Sequence, residues 1–225
     1  MLLRELLLGS VRFNALRRGL PRMSSALLAS RLRELEAAGI LLRTPISSAG
    51  DTCEYRLTAA GRELRPIVEA VGIWGQRWVA AETTLHHLDA DLLMWDVHRR
   101  IDASPMPDRR STIQFIFTDR PVKKCNYWLV VEKGQDVDLC TADPGYEVDL
   151  YVSTDLRALT EIWLGYTSIA RAIGAGRLSL TGHHQLASTF GTWFALSPLA
   201  KVKKQASSRS RIGREIPLAH GQPAR

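Results

Sequence analysis

Residues 23–39 read MSSALLASRLRELEAAG, and the organisation of the chain is clearest when this segment is taken first. Ser24 is a favourable N-cap, Gly39 is a favourable residue just past a helix end, and the interval between them is rich in Ala, Leu, Arg and Glu. The segment therefore predicts a helix of about four turns.

The two faces of this helix differ in chemistry. Leu28, Leu32 and Leu35 recur at helical spacing and predict the buried side. The opposite side carries short residues and an arginine, namely Ala26, Ser30, Arg33 and Ala37. A solvated helix surface usually carries long side chains of both charges, whereas short residues and arginines suit a helix that enters the major groove of DNA.

The segments around this helix complete a helix-turn-helix pattern. Met1–Leu8 is an apolar run that indicates the end of one helix, and Val11–Leu20 indicates a second short helix with its arginines outside. After Gly39, residues 40–44 and 52–57 read as two strands joined by a turn-rich tip. A hairpin directly after a recognition helix is a wing, so the sequence predicts a winged helix-turn-helix.

Residues 2 to about 81 resemble the winged helix-turn-helix of the HxlR family of bacterial transcriptional regulators. The segments that carry the resemblance are LRELLLG at 3–9, RFNAL at 12–16, SRLRELEAAG at 30–39, YRLTAAG at 55–61 and WGQRW at 74–78. Family members bind operator DNA as homodimers, so the resemblance implies double-stranded DNA and a second copy of the chain as partners. The family's first helix is normally longer, which predicts either a truncated first helix here or a true start upstream of Met1.

These observations predict a set of DNA contacts. Arg33 and Arg31 are expected to be the strongest, with an ion pair that orients the helix as the alternative for Arg31, because it lies nearer the buried face. The wing is expected to contact the backbone or the minor groove. The predicted contacts are Arg12, Asn14, Arg17, Ser24, Ser25, Ser30, Arg31, Arg33, Arg43 and Ser47.

Residues 58 to 81 read as a linker and a dimer helix. Apolar residues recur at spacings of three and four, as in a short coiled-coil seam, at Leu64, Ile67, Val71, Trp74, Trp78 and Ala81. Pro66 interrupts the pattern and predicts two separate helical segments. The alternative is that both tryptophans belong to the core of the monomer.

Charge divides the chain into three parts. Residues 1–81 carry 12 Lys and Arg against 7 Asp and Glu, residues 82–199 carry 11 against 15, and residues 200–225 carry 7 against 1. The basicity therefore belongs to the DNA-binding and dimerisation domain (1–81) and to the tail (200–225), and the acidic middle (82–199) is not expected to lie on DNA. The tail is poor in apolar residues and is expected to be disordered, either adding phosphate contacts or serving only solubility.

The middle part reads as an α+β domain. A helix over 92–101 precedes four strands over 112–117, 126–132, 137–141 and 147–153, which predict an antiparallel meander. A helix capped by Thr154 runs to residue 164, and a short helix over 168–174, a strand over 178–180 and a helix over 183–194 complete the domain. An antiparallel sheet with one apolar face needs a cover of helices.

Residues 90 to 197 are similar to the sterol carrier protein 2 (SCP2-like) fold. The resemblance is carried by WLG at 163–165, AIGAGRLSLTG at 172–182 and FGTWF at 190–194. Family members enclose an apolar tunnel for acyl chains or sterols, which implies a hydrophobic small molecule as ligand. Candidate lining residues, each with plain core packing as the alternative, are Trp95, Phe115, Phe117, Trp128, Trp163 and Phe190.

Other signals point away from catalysis and metals. Cys53, Cys125 and Cys140 have no metal-ligand spacing and suit a reducing cytoplasm, and Cys53 in the wing is either structural or a thiol that gates DNA binding. No phosphate loop, nucleophile elbow or catalytic dyad is present, so neither an enzyme nor a cofactor is expected, and Met1–Leu8 is too short to span a membrane.

The sequence therefore favours a homodimeric regulator that reads a palindromic operator and responds to an apolar molecule. The first alternative is a lipid carrier whose winged domain serves only dimerisation. The second is a winged domain used for contacts with proteins.

Overall fold

The computed structural model describes residues 1–46, 52–79, 81–86 and 88–205. The first part of the chain contains α1 (Leu2–Leu7), α2 (Phe13–Arg18), α3 (Ser25–Ala37), β1 (Leu41–Pro45), β2 (Cys53–Leu57), α4 (Ala59–Glu63) and α5 (Arg65–Trp78). The helices α1 to α3 and strand β1 pack around a leucine core that includes Leu6, Leu16, Leu28, Leu32 and Leu41.

The helix predicted over residues 23–39 is confirmed as α3. The Ser24 side chain accepts the Leu27 backbone N–H at 3.2 Å, so it caps the helix as its sequence position predicts. Gly39 lies just past the helix end with φ of +68°, a conformation that glycine adopts without a steric penalty. Leu28 and Leu32 are fully buried, and Leu35 packs against the same core, as predicted.

The predicted hairpin is also present. Strands β1 and β2 pair antiparallel, with Arg43 opposite Tyr55 and Pro45 opposite Cys53. The Tyr55 N–H donates to the Val11 carbonyl at 2.7 Å, which ties the hairpin to the segment before α2. The predicted turn-rich tip, including Ser47, lies outside the described residues.

The segment after the hairpin forms two helices, α4 and α5, that meet at Leu64. Pro66 lies in the first turn of α5, where its missing N–H has no intrahelical partner to lose. The prediction that Pro66 separates two segments is therefore confirmed.

The second part of the chain contains a mixed sheet and several helices. Its helices are α6 (Ala81–Leu85), α7 (Ala90–His98), α8 (Leu156–Trp163), α9 (Ile169–Gly174), α10 (His184–Ser188) and α11 (Phe190–Trp193). Its strands are β3 (Ser111–Phe117), β4 (Asn126–Val131), β5 (Asp138–Cys140), β6 (Leu150–Thr154) and β7 (Leu178–Gly182). The predicted α+β class is confirmed.

The strand order is β5-β4-β3-β6-β7, which differs from a simple meander. Strands β3, β4 and β5 follow one another antiparallel, but β6 pairs parallel with β3. The connection over 141–149 carries the chain past β4 and β3, so β6 begins at the same end of the sheet as β3. The prediction of an antiparallel meander is therefore wrong at β6.

Two local helix predictions also differ from the structure. Asp155, not Thr154, caps α8, because its carboxylate accepts the Ala158 N–H at 2.6 Å while Thr154 ends β6. The single helix predicted over 183–194 is divided at Thr189, whose hydroxyl donates to the Gln185 carbonyl at 2.7 Å. A hydroxyl that binds the preceding turn competes with continuation of a helix.

The core of the second part lies between one face of the sheet and the helices. The sheet contributes alternate residues such as Ile113, Phe115 and Leu129, and α7 contributes Leu93, Met94 and Val97. Rings from α11 and from the residue after it complete this core, with Phe190 and Phe194 stacked at 5.0 Å between centroids.

Residues 200–205, which the sequence placed in the disordered tail, contact the end of α5. The Lys204 ammonium donates to the Val79 carbonyl at 2.5 Å, and the Gln205 N–H donates to the Arg77 carbonyl at 3.0 Å. The rest of the predicted tail, residues 206–225, lies outside the described residues.

Candidate nucleic-acid interface

The outer face of α3 remains exposed with the second part of the chain in place. Ser24, Ser25, Arg31 and Arg33 are all exposed, and Ser30 is half-buried. The buried leucines hold the opposite side of the helix against the core, so these polar side chains point outward together. These side chains of α3 are therefore accessible to solvent in the presence of the second part of the chain.

The two arginines of α3 have different surroundings. Arg31 pairs with Glu34 at 2.5 Å, and Glu34 also accepts the Ser30 hydroxyl at 3.2 Å. The Arg31 guanidinium lowers the pKa of Glu34 and keeps that carboxyl ionised. Arg33 donates only to the Ala29 carbonyl at 3.4 Å and, in the part of the chain that the structure describes, has no carboxylate partner. The ion pair considered for Arg31 is present, whereas Arg33 forms no ion pair among the described residues and acts on Glu34 only through its charge.

Three predicted contacts from outside α3 are brought together. Arg12, Asn14 and Arg43 line one groove between α2 and the inner face of the hairpin. The Cys53 side chain accepts a hydrogen bond from Arg43 and raises the pKa of that guanidinium. Arg17 is exposed on α2 but does not line the groove, and Ser47 lies outside the described residues.

A buried polar junction joins the two parts of the chain. Glu5 on α1 is fully buried, and its carboxylate accepts the indole N–H of Trp95 at 3.1 Å and the Arg99 guanidinium at 2.6 Å. Arg99 also donates to the Ser10 hydroxyl at 2.7 Å, and Arg4 pairs with Asp96 at 2.5 Å. Helix α7 is therefore fastened to the helix-turn-helix through buried charge-assisted hydrogen bonds.

Gly19 makes this junction sterically feasible. A Cβ at position 19 would lie 1.9 Å from the Glu5 carboxylate and 2.8 Å from the indole nitrogen of Trp95. Glu5 is not among the residues predicted from the sequence, although its position carries a signal. A carboxylate between Leu2 and Leu6, on the buried stripe of a short apolar helix, requires partners from another element.

Burial perturbs two titratable groups of α7. Desolvation raises the pKa of Asp96, although the Arg4 guanidinium opposes the shift. Desolvation, with the charge of Arg99 as a smaller cause, lowers the pKa of His98 to about 4. His98 is therefore neutral at physiological pH, and its ring lies 4.4 Å from that of Trp95 between centroids.

One side of α5 is an exposed apolar face, which we define as Ile67, Ala70, Val71, Trp74 and Trp78. Trp74 is 60% exposed and Trp78 is 46% exposed in the single chain, so neither belongs to a monomer core. The other side of α5 faces the second part, where the Gln76 amide donates to the Leu164 carbonyl at 3.1 Å. Exposed tryptophans and aliphatic residues grouped on one helix face are typical of a protein interface.

The predicted ligand-lining residues are all buried, but they do not share one space. Phe115, Phe117, Trp163 and Phe190 lie in the core between sheet and helices. Trp128 lies opposite Gln114 in the strand pairing, so the two side chains share one face of the sheet. Phe115 is the next residue along β3 and points to the other face, so Trp128 and Phe115 lie on opposite faces. Trp95 faces the helix-turn-helix at the Glu5 junction.

The described residues hold neither a metal-binding cluster nor a helix able to cross a membrane. Across residues 1–46, 52–79, 81–86 and 88–205, no three His, Cys, Asp or Glu side chains are grouped so as to hold a metal ion. None of the helices described above combines the length and the apolar character that crossing a membrane requires.

Comparison with known proteins identifies the first part of the chain. A family model described as HxlR-like helix-turn-helix matches residues 1–83. The HTH-type transcriptional regulator YvaP of Bacillus subtilis is 37% identical over 75 residues, which cover 33% of this chain and 69% of YvaP. The chain belongs to the HxlR-like helix-turn-helix family. A second relative, the HTH-type transcriptional regulator sll1512 of Synechocystis, is 39% identical over 83 residues, covering 37% of this chain and 62% of sll1512.

Solved structures include an SCP2-like neighbour. The solution structure of palmitated SCP2L2 from Aedes aegypti is 18% identical and covers 46% of this HxlR-like chain and 91% of SCP2L2, with a TM-score of 0.34. An SCP2-like protein is thus among the solved structures to which this chain is similar.

Proposed function

We propose that this protein is a DNA-binding transcriptional regulator that uses α3 as its recognition helix. The observation that carries this proposal is the exposed serine and arginine face of α3. Its short residues allow close approach to base edges, and the exposed Arg33 guanidinium, which forms no ion pair among the described residues, suits a phosphate or a guanine edge. Membership of the HxlR-like family supports the same activity.

The regulator acts as a homodimer on a palindromic operator. Support comes from the apolar face of α5, because a second copy related by two-fold symmetry would bury Trp74 and Trp78 of both chains. Two α3 helices would then enter successive major grooves, and the operator half-sites would lie about one helical turn apart.

Residues 1–81 form the DNA-binding and dimerisation unit, and residues 82–199 form a unit that takes up an apolar small molecule. The support for the second statement is the extended apolar core between the sheet and α7, α8 and α11. Since Phe115 and Phe190 are packed in that core, a ligand enters by displacing side chains. Helix α7 contributes both to this core and to the Glu5 junction. A ligand that displaces core side chains therefore also acts, through α7, on the helix-turn-helix.

Footprinting tests the regulatory function. The full chain is incubated with a duplex from the region upstream of its own gene, and protection is measured as salt is raised. We expect a protected palindrome whose affinity falls with the logarithm of salt concentration. Absence of any protected site, together with uptake of palmitate by the same preparation, would instead favour the lipid carrier.

A further inference from the structure

A groove of about 470 Å³ lies at the meeting point of both parts of the chain. Helix α2 forms one wall, the inner face of the hairpin β1–β2 forms the second, and Trp95 on α7 closes the third. We call this the junction groove. Its volume lies within the range of sites that bind small molecules.

The junction groove is strongly positive. Arg12, Arg18 and Arg43 line it, and none of them forms an ion pair with a carboxylate among the described residues. Neighbouring arginines differ, because Arg56 on the outer face of the hairpin pairs with Glu54 at 2.6 Å and Arg99 pairs with Glu5. Three guanidinium groups around one concavity, with the Asn14 amide beside them, favour a bound anion.

The walls between these charges are aromatic. Phe13 and Tyr55 are half-buried at the groove and leave ring surface to be covered. The Trp95 ring is held in place by its hydrogen bond to Glu5, and the Arg18 guanidinium lies 5.9 Å from its centroid. Rigid aromatic walls with guanidinium groups at the rim fit a planar apolar body that carries a carboxylate.

We infer that the junction groove binds a small aromatic or similarly planar organic carboxylate, with Arg12, Arg18 and Arg43 holding the carboxylate and Phe13 and Tyr55 covering the apolar body. The occupant touches the helix-turn-helix and α7 at once. Arg12, Asn14 and Arg43 are also predicted DNA contacts, so a bound carboxylate would compete with DNA phosphates for the same guanidinium groups. That last consequence rests on the proposed function, whereas the binding itself does not.

Calorimetric titration of the full chain without DNA tests the inference, with 2-naphthoate as the probe and the neutral 2-naphthamide as its uncharged analogue. We expect naphthoate to bind one site per chain and the amide to bind at least about tenfold more weakly. Arg18→Gln and Arg43→Gln should each weaken naphthoate binding about tenfold. Arg17→Gln is the matched control, because it removes the same charge from the adjacent exposed position on α2, outside the groove.

Three results would overturn the inference. First, equal affinities for naphthoate and naphthamide would show that the carboxylate charge does not contribute to binding. Second, equal effects of Arg17→Gln and Arg18→Gln on naphthoate binding would place the site outside the junction groove. Loss of DNA affinity in Arg18→Gln without any naphthoate binding would assign the groove to the DNA backbone. Thermal melts of each variant test whether these exposed substitutions leave the fold intact. A protein that binds naphthoate but protects no operator would contradict the proposed function alone.

Discussion

Single residues on α3 and α7 decide the chemistry of this protein. On α3, Arg31 is engaged by Glu34, whereas the Arg33 guanidinium has a backbone carbonyl as its described partner. Both arginines were predicted to contact DNA. They differ because only Arg31 has a carboxylate, that of Glu34, within ion-pair distance. On α7, the perturbed groups Asp96 and His98 depend on burial against the helix-turn-helix.

Arg33→Ala should weaken operator binding by about 1–3 kcal/mol, because it removes a charged contact with DNA. Fluorescence anisotropy with a labelled operator duplex measures the change. Arg171→Ala, which removes the same charge from the exposed face of α9, should change the affinity far less. Equal affinities of the wild type and Arg33→Ala would count against the outward orientation of this arginine on DNA.

The buried neutral His98 makes stability depend on pH. Its pKa of about 4 lies below its ordinary value of 6.5, so between these values the unfolded chain binds a proton that the folded chain does not. The free energy of unfolding should therefore fall as pH drops from 6.5 toward 4, by about 2 kcal/mol, which allows for partial access of solvent to the ring.

Urea denaturation at pH 7 and at pH 5 measures this dependence. His98→Gln, which cannot titrate, should lose less stability than the wild type over that interval. Asp96 acts in the opposite sense, because a raised carboxyl pKa favours the folded state as pH falls, and its contribution is common to both proteins. Identical pH dependence in the two proteins would remove His98 as the cause.

Among the elements, α5 and α7 carry surfaces that the sequence alone interprets ambiguously. The apolar spacing along α5 is compatible with a monomer core and with a dimer seam, and exposure of Trp74 and Trp78 in the single chain favours the seam. Helix α7 is the second of these elements. It reads as a core helix of the second part, yet its polar side holds α1 through Trp95 and Arg99.

Trp74→Ser should raise the dissociation constant of the homodimer by about 100-fold, because both copies lose a central apolar anchor. Sedimentation equilibrium measures the change. Leu42→Ser is the matched control, since Leu42 is 59% exposed on the hairpin while Trp74 is 60% exposed on α5. If the two substitutions weaken association equally, or if the wild type is monomeric, the α5 face is not the dimer seam.

At the scale of the whole molecule, the Glu5 junction makes the two parts behave as one structure. A fully buried carboxylate with three donors from Trp95, Arg99 and Arg4 is stable only while the parts remain docked. The backbone at Gly19 lies so close to Glu5 and Trp95 that the position has no room for a side chain. Helix α7 is therefore in direct contact with α1 and with Gly19 at the end of α2.

Glu5→Ala should lower the free energy of unfolding by about 3 kcal/mol, because it leaves the Arg99 charge buried without its partner. The double variant Glu5→Ala with Arg99→Met should recover part of that loss, since both charges are then removed. Denaturation curves of the wild type, both single variants and the double variant complete the cycle. Strictly additive losses would show that the two side chains do not stabilise each other.

Much of the fold was predictable from local patterns. The cap at Ser24, the stop at Gly39 and the leucine stripe of α3 act within one helix, where periodicity specifies burial. The strand positions of the second part were equally readable, because alternation is a local property. The parallel placement of β6 beside β3 was not, since it depends on where a connecting segment crosses the sheet.

The candidate sites likewise include some that the sequence predicts and others that it does not. The polar face of α3 follows from the sequence by itself, because a helix with one leucine stripe must expose the opposite side. The junction groove, the separation of Trp95 and Trp128 from the apolar core and the partners of Glu5 were decided only by the tertiary structure. Each of these brings together residues distant in the chain, and a linear pattern carries no information about which element supplies the facing charge or ring.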